Sequence, residues 1–153
     1  MHPLALRVPP LVVVLIVATA MVAAASLAGP ALPALPTSTI AALALAVLGC
    51  TIALAGVVTF RRHHTTVDPR YPDQTSTLVT RGVYRLSRNP MYLGFLLCLV
   101  GLAVHLGSVV AWALVPLFVV YMNRFQIGPE EVVLRAAFGD AFIIYRQRVR
   151  RWL

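Results

Sequence analysis

Two blocks of this chain, Leu11 to Gly29 and Ser38 to Phe60, contain no charged residue. A hydrocarbon core of roughly 30 Å is crossed by about 20 helical residues, so each block is long enough to span. Met91 to His105 is a shorter apolar block that ends at Gly107 and Ser108. Val109 to Met122 follows it and is also short. The last two read as a helical hairpin. Of the 153 residues, 59% are hydrophobic, above the roughly half expected of soluble domains. The excess lies inside these blocks, and little is left over for a water-soluble domain. The expected fold class is therefore an all-α integral membrane protein with about four transmembrane helices and a C-terminal amphipathic helix.

The basic residues set the orientation. All 13 are Arg, and the net charge is +8. Arg7 precedes the first block. Arg61, Arg62, Arg70, Arg81, Arg85 and Arg88 lie between the second and third. Arg124, Arg135, Arg146, Arg148, Arg150 and Arg151 follow the fourth. The connections Pro30 to Thr37 and Leu106 to Ser108 are uncharged. By the positive-inside rule both termini and the long middle loop face the cytoplasm. The charge then forms a basic face toward anionic membrane lipid. A nucleic-acid partner is not expected, because the Arg residues flank spans and form no separate domain. Ala23 to Ala28 has the small residues of a signal-peptide cleavage region, but the block is long for such a peptide and is read as a retained span.

One domain covers 1–153. It divides into two N-terminal spans (1–60), a cytoplasmic loop (61–90), the hairpin (91–122) and cytoplasmic C-terminal helices (123–153). Pro30, Pro33 and Pro36 make the first outer connection stiff. Arg61 to Thr80 is the longest polar segment, with turn chemistry at Asp68 to Asp73. Asn89-Pro90 should start the third helix, because Pro suits a first helical turn. Phe138, Phe142, Tyr145, Val149 and Trp152 recur at three- and four-residue steps among arginines. That spacing predicts an amphipathic helix, either a surface anchor or a lid.

Candidate chemistry is confined to few residues. Glu130 and Glu131 are the two glutamates of the chain. They follow Gly128-Pro129 and are expected in the first turn of a new helix, where the dipole favours acids in any protein. The alternative is a carboxylate pair that binds an ammonium group or ribose hydroxyls. Arg88 to Tyr92 places free N–H groups at a helix start, where an anion can bind. Tyr84 and Tyr92 add rings and hydroxyls, although Tyr is also common at membrane interfaces. His63 and His64 lack further ligands at a recognisable spacing, so no metal site is expected. Cys50 and Cys98 read as small buried hydrophobes.

Leu78-Val79-Thr80, Gly82-Val83-Tyr84, Arg88-Asn89-Pro90-Met91-Tyr92-Leu93-Gly94, then Glu130-Glu131, Leu134, Phe138-Gly139 and Tyr145 resemble the isoprenylcysteine carboxyl methyltransferase family, a relative of the phospholipid methyltransferases. The resemblance covers about residues 75 to 153. It implies an integral-membrane enzyme that uses S-adenosylmethionine without a Rossmann domain, in a pocket on the cytoplasmic side. By position it implies cofactor contacts at Thr77, Leu78, Val79, Tyr84, Asn89, Pro90, Met91, Tyr92 and Glu130. Glu131 and Arg124 stand on the catalytic side of that pocket. Asn89 takes the place of a His in the eukaryotic enzymes. Gln126 takes the place of an Arg that serves the substrate there, and Arg124 is the candidate substitute. The implied partner is a lipophilic methyl acceptor, with prenylated carboxylates, phospholipid amines, small thiols and quinone-like lipids all open. The oligomeric state is left open as well.

Overall fold

The computed structural model describes residues 6, 8–28, 36–62 and 78–153. Five helices are present among them: α1 (Pro10–Ala28), α2 (Pro36–Arg62), α3 (Pro90–Leu106), α4 (Val109–Tyr121) and α5 (Gly128–Arg148). A 3₁₀ turn, Gly82–Arg85, precedes α3, and a π-helical segment, Met122–Ile127, joins α4 to α5. The all-α membrane architecture expected from the uncharged blocks is therefore present. Three helical runs are long and apolar enough to cross a membrane: 10–27, 39–61, and the continuous run 109–148. α3, at 17 residues, is a shorter apolar helix. Within the run 109–148 the apolar part is α4. α5 carries Glu130, Glu131, Arg135, Asp140, Arg146 and Arg148, a composition that belongs outside the hydrocarbon.

α3 is the centre of the assembly. One side of it meets α1 and α4, where Met21, Leu99, Ala103, Ala111, Phe118, Met122 and Ile127 are almost fully enclosed. Its other side lies against α2 with almost no side chain between the backbones. A Cβ added to Gly49 would stand 2.5 Å from the Gly94 carbonyl oxygen and 2.8 Å from the Cys98 Sγ. A Cβ on Gly94 would meet the Ala53 Cβ at 2.8 Å. Hydrocarbon gives helices no hydrophobic reason to associate, so close backbone approach through small residues supplies the contact. The outward faces of α1 and α2 expose Leu15, Ile16, Ile40, Leu43, Val47 and Leu54, as a lipid-facing surface should. Cys50 belongs to that exposed face, so of the two cysteines only Cys98 is partly buried. The Cys50 and Cys98 sulfurs are 3.9 Å apart across the seam.

The hairpin turns as predicted. Gly107 adopts the left-handed conformation that favours glycine (φ 58°) and its N–H donates to Ala103 at 3.1 Å, closing α3.

One sequence expectation is extended and a second is corrected. Glu130 and Glu131 stand in the first turn of α5, as expected, but α5 follows α4 through the π segment without a break in the helical run. Pro129 has no N–H to give the Phe125 carbonyl, and a proline ring crowds that carbonyl in a regular helix. The π segment relieves this by an extra residue per turn, with the Gly128 N–H reaching back to Asn123. The released Phe125 carbonyl accepts from the Leu6 N–H at 3.1 Å instead. One position on, the Gln126 side-chain amide donates to the Val8 carbonyl at 2.6 Å. The segment before α1 is thus pinned to the start of the acid-bearing helix.

The correction concerns the C-terminus. The amphipathic helix expected from Phe138 to Trp152 is broken at Gly139 (φ 50°, ψ −125°) and ends at Arg148. Val149 is extended, and the last residues form a strap that folds back over the start of α3. Phe142 and Tyr145 are buried as the periodicity required, but Val149 and Trp152 are placed by the strap and not by helical spacing.

Candidate functional site

Pro90 occupies the first turn of α3, as predicted, and Asn89 precedes it. Asn89 makes no capping bond with its side chain. Its amide Nδ2 donates instead to the Arg151 carbonyl of the strap at 2.9 Å. The Arg88 N–H donates to the Arg150 carbonyl at 3.0 Å, and the Ser87 hydroxyl to the Arg151 carbonyl at 3.4 Å. The motif that begins α3 is therefore laced to the last residues of the chain. Beyond Arg148 the strap carbonyls thus meet donors of the segment that leads into α3.

The two acids sit beside this junction in different surroundings. Glu130 accepts a short hydrogen bond from the Tyr92 hydroxyl. Burial pushes the Glu130 carboxyl up to about 7; the Tyr92 hydrogen bond opposes that shift and the neighbouring Glu131 charge adds to it. Glu131 is ion-paired on both sides. Its Oε1 lies 3.1 Å from Arg88 Nη2 and 3.1 Å from Arg151 Nε, and its Oε2 is 2.7 Å from Arg151 Nη2. Arg151 also reaches Asn123 Oδ1 at 3.5 Å, and the Trp152 indole N–H donates to that same oxygen at 3.1 Å.

Tyr84 is buried and meets Phe60 edge-on, with ring centroids 5.1 Å apart. Its carbonyl accepts from the Tyr145 hydroxyl at 2.7 Å, which ties the second half of α5 to the 3₁₀ turn. Burial raises both phenols, Tyr145 to about 12 and Tyr84 further, with the Arg88 charge pulling Tyr145 down. Behind Tyr145 lies a cavity of about 680 Å³ lined by Leu78, Thr80, Arg85, Ile144, Arg148 and others.

The structure thus joins Tyr92 to Glu130 directly, and Asn89 to Glu131 through Arg151. Pro90, Met91 and Val79 lie in or beside the same elements, with Pro90 and Val79 buried. Leu78 lines the adjoining cavity. Thr77, His63 and His64 lie outside the described residues. Arg124 does not join the cluster; it is exposed, with its guanidinium 5.9 Å from the Phe125 ring centroid. Gln126 is buried and committed to Val8.

Sequence reasoning missed Arg151, Ser87 and Asn123, and it did not single out Arg88 as a partner of Glu131. One signal was available: a chain with two glutamates and 13 arginines must match its few acids to particular cations wherever either is buried.

Comparison with known proteins agrees with this organisation. A family model described as phospholipid methyltransferase matches residues 37–141. A rice protein, probable protein-S-isoprenylcysteine O-methyltransferase, is 39% identical over 114 residues, 72% of this chain and 58% of its own. Protein-S-isoprenylcysteine O-methyltransferase B of Arabidopsis thaliana is 33% identical over 110 residues, covering 70% and 54% respectively. An uncharacterized protein of Haemophilus influenzae is 46% identical over 63 residues, 41% of this chain and all of its own length. The chain spans little more than half the length of the plant relatives it matches. No solved structure matches.

Proposed function

Because the chain belongs to the phospholipid methyltransferase family, we propose that it is a multi-pass membrane methyltransferase that uses S-adenosylmethionine at its cytoplasmic face and methylates a lipophilic carboxylate of the isoprenylcysteine type. The observation that carries this reading is the junction of α3, α5 and the strap. Every candidate polar group there is drawn toward the start of α3, at the boundary between apolar helices and basic connections.

The residues present suit the cofactor. Among the described residues Tyr92 is the one side-chain partner of Glu130, so an acid remains for an ammonium group or ribose hydroxyls. Among the described residues Arg88 keeps two buried nitrogens without a hydrogen-bond partner. The ring of Tyr84, packed edge-on against Phe60, and the buried Val79 and Pro90 offer apolar surface. When bound, the cofactor supplies a methyl group on a sulfonium sulfur that needs little acid or base help to leave. The chain's own contribution is then positioning and exclusion of water. α3, α5 and the strap exclude water; Glu130 orients; Glu131 holds Arg88 and Arg151 in place.

A carboxylate acceptor is ionised at neutral pH and requires no base. A second reading, methylation of an amine or thiol, is favoured by Glu130 itself. An acid whose pKa is raised to about 7 takes up a proton near neutrality, as such an acceptor demands. Labelled methyl donor added to membranes that contain the chain distinguishes the two. The label should enter a lipid-soluble product, as a base-labile ester for a carboxylate acceptor and as a base-stable amine or thioether for the second. No transfer to any lipid, with no S-adenosylhomocysteine binding by the purified protein, would sink both.

A further inference from the structure

We propose that Cys50 and Cys98 form a redox-active thiol pair inside the membrane, which a hydroperoxide dissolved in the bilayer closes to a disulfide across the α2–α3 seam. Nothing in this pair depends on the methyltransferase reading. The two are the only cysteines of the chain. They lie 48 residues apart in sequence, yet their sulfurs are 3.9 Å from one another. A disulfide needs Cα atoms within roughly 7 Å and Cβ vectors that converge. The seam meets the first demand, because backbone lies on backbone there. A Cβ on Gly49 would stand 2.8 Å from the Cys98 Sγ and 3.1 Å from the Cys98 nitrogen. The sulfur contact meets the second. Closing it to a bond of about 2.05 Å asks for side-chain rotation and not for helix movement. The Cys98 thiol donates to the Ala46 carbonyl at 3.7 Å, which leaves the Cys50 thiol to donate to the Cys98 sulfur.

Place decides the chemistry. Cys50 stands at the midpoint of the span 39–61, and Cys98 at the midpoint of α3. Charge is costly in that layer, which disfavours a metal ion held by two thiolates. A disulfide is neutral and apolar. Cys50 is exposed on the lipid-facing side, whereas Cys98 is partly buried. An oxidant that travels in the hydrocarbon therefore meets Cys50 first. The Cys50 sulfur attacks the terminal oxygen of the hydroperoxide. The O–O bond breaks, Cys50 becomes a sulfenic acid, and its proton leaves with the alcohol. The Cys98 sulfur then attacks the Cys50 sulfur. The S–O bond breaks, the S–S bond forms, and the hydroxyl leaves as water with the Cys98 proton. Two electrons pass to the peroxide and no charge remains in the hydrocarbon. The bridge holds α2, whose Phe60 packs on Tyr84, in register with α3.

The test uses the full chain in nanodiscs, treated with cumene hydroperoxide, an apolar probe. Thiols are counted with N-ethylmaleimide after denaturation, and intact mass reads the loss of two hydrogens. Wild type should lose both free thiols within one chain, and dithiothreitol should restore them as its own thiols become the disulfide. The oxidised protein should unfold about 5–10 °C higher, the usual effect of a cross-link in a chain of this size. Cys98→Ala should stop at a Cys50 sulfenic acid, which dimedone traps, with no gain in stability. Cys50→Ala should leave the Cys98 thiol free. Hydrogen peroxide at the same concentration stays largely in water and should act more slowly; equal rates would overturn the bilayer as the source of oxidant. The wild-type measurement needs no variant. Both thiols recovered free after cumene hydroperoxide, or a disulfide formed only between chains, would overturn the pair.

Discussion

The face of α3 toward α2 and the junction that opens α3 are held by opposite means. Along the seam with α2, Gly49 and Gly94 bring backbones together with only weak cysteine contacts and no charged side chain involved, so shape dominates the register. At the junction with the strap and α5, polar partners do the holding. Asn89, Arg88 and Tyr92 are held by the Arg151 carbonyl, Glu131 and Glu130. A seam of backbones is intolerant of added atoms but indifferent to pH. A polar junction tolerates changes of volume yet depends on charge and on a five-residue strap. The rigid part sets where the first turn of α3 lies, and the adjustable part decides what that turn can bind.

The largest expected effect tests the seam. Gly94→Leu places a branched side chain where a Cβ would already lie 2.8 Å from that of Ala53. Overpacking typically costs about 1–3 kcal/mol, and here backbone must move against backbone, so the loss should reach the top of that range or beyond. Thermal unfolding in detergent should show the variant far less stable than any single substitution at the junction. Equal stability to wild type would mean that α2 and α3 are not in this close contact.

The next effect falls on the junction alone. Deletion of Val149 to Leu153 removes the strap carbonyls and Arg151 but touches no residue of the seam. Methyl transfer and S-adenosylhomocysteine binding should be lost while the helices still insert. A truncated protein with full turnover would reduce the strap to an anchor.

Glu130 should separate the two regions by pH. Its folded pKa is raised above its ordinary 4.5 to about 7, so the folded state holds the proton more tightly than the unfolded state. The sign follows: stability is highest below about 4.5, falls as pH rises toward 7, and levels off beyond. Glu130→Gln should flatten that slope, by at most about 3 kcal/mol over the window. Seam substitutions should shift the whole curve without changing its shape. For ligand binding, Glu130→Ala should weaken S-adenosylhomocysteine by roughly tenfold or more. Arg135→Ala, at an exposed position one turn further on, should be near neutral. Equal losses from the two would take the acid out of the site.

What was legible in the sequence divides along the same line. The spans follow from patterns that a chain displays openly, uncharged blocks and a Pro at the start of α3, whereas the glycine seam was not read from them. The junction was half visible. Tyr92 and the two acids could be picked out by type and place, but their partners could not. Arg151 looked like one more basic residue on an amphipathic helix, because helical periodicity continues through Trp152 while hydrogen bonding stops at Arg148. Pro129 marked the start of α5 correctly, but the π junction before it was hidden, because the Leu6 N–H that reaches the Phe125 carbonyl lies more than a hundred residues away. Local propensity does not encode such long-range pairings, and tertiary contacts override it where buried donors must be met.

The smallest effect concerns the acceptor. The seam has no room between its backbones, and the interior contact of α1, α3 and α4 is filled by Leu99, Phe118 and Met122. On the proposed reading, an apolar chain attached to the acceptor would lie along the outer, lipid-facing surfaces and enter the junction sideways. There it exchanges lipid for protein contacts over part of its length and water for protein near the headgroup. Affinity measured from water should rise by about 0.8 kcal/mol for each methylene that becomes buried, close to fourfold per group, and then plateau once the groove is filled. The plateau is the informative part. A plateau after a few methylenes would place the binding region at the junction alone, whereas a steady rise over a full prenyl length would extend it along α3. An acceptor that proves small, polar and insensitive to chain length would confine all specificity to Arg88, Glu130 and the strap, and would favour a soluble thiol over any lipid.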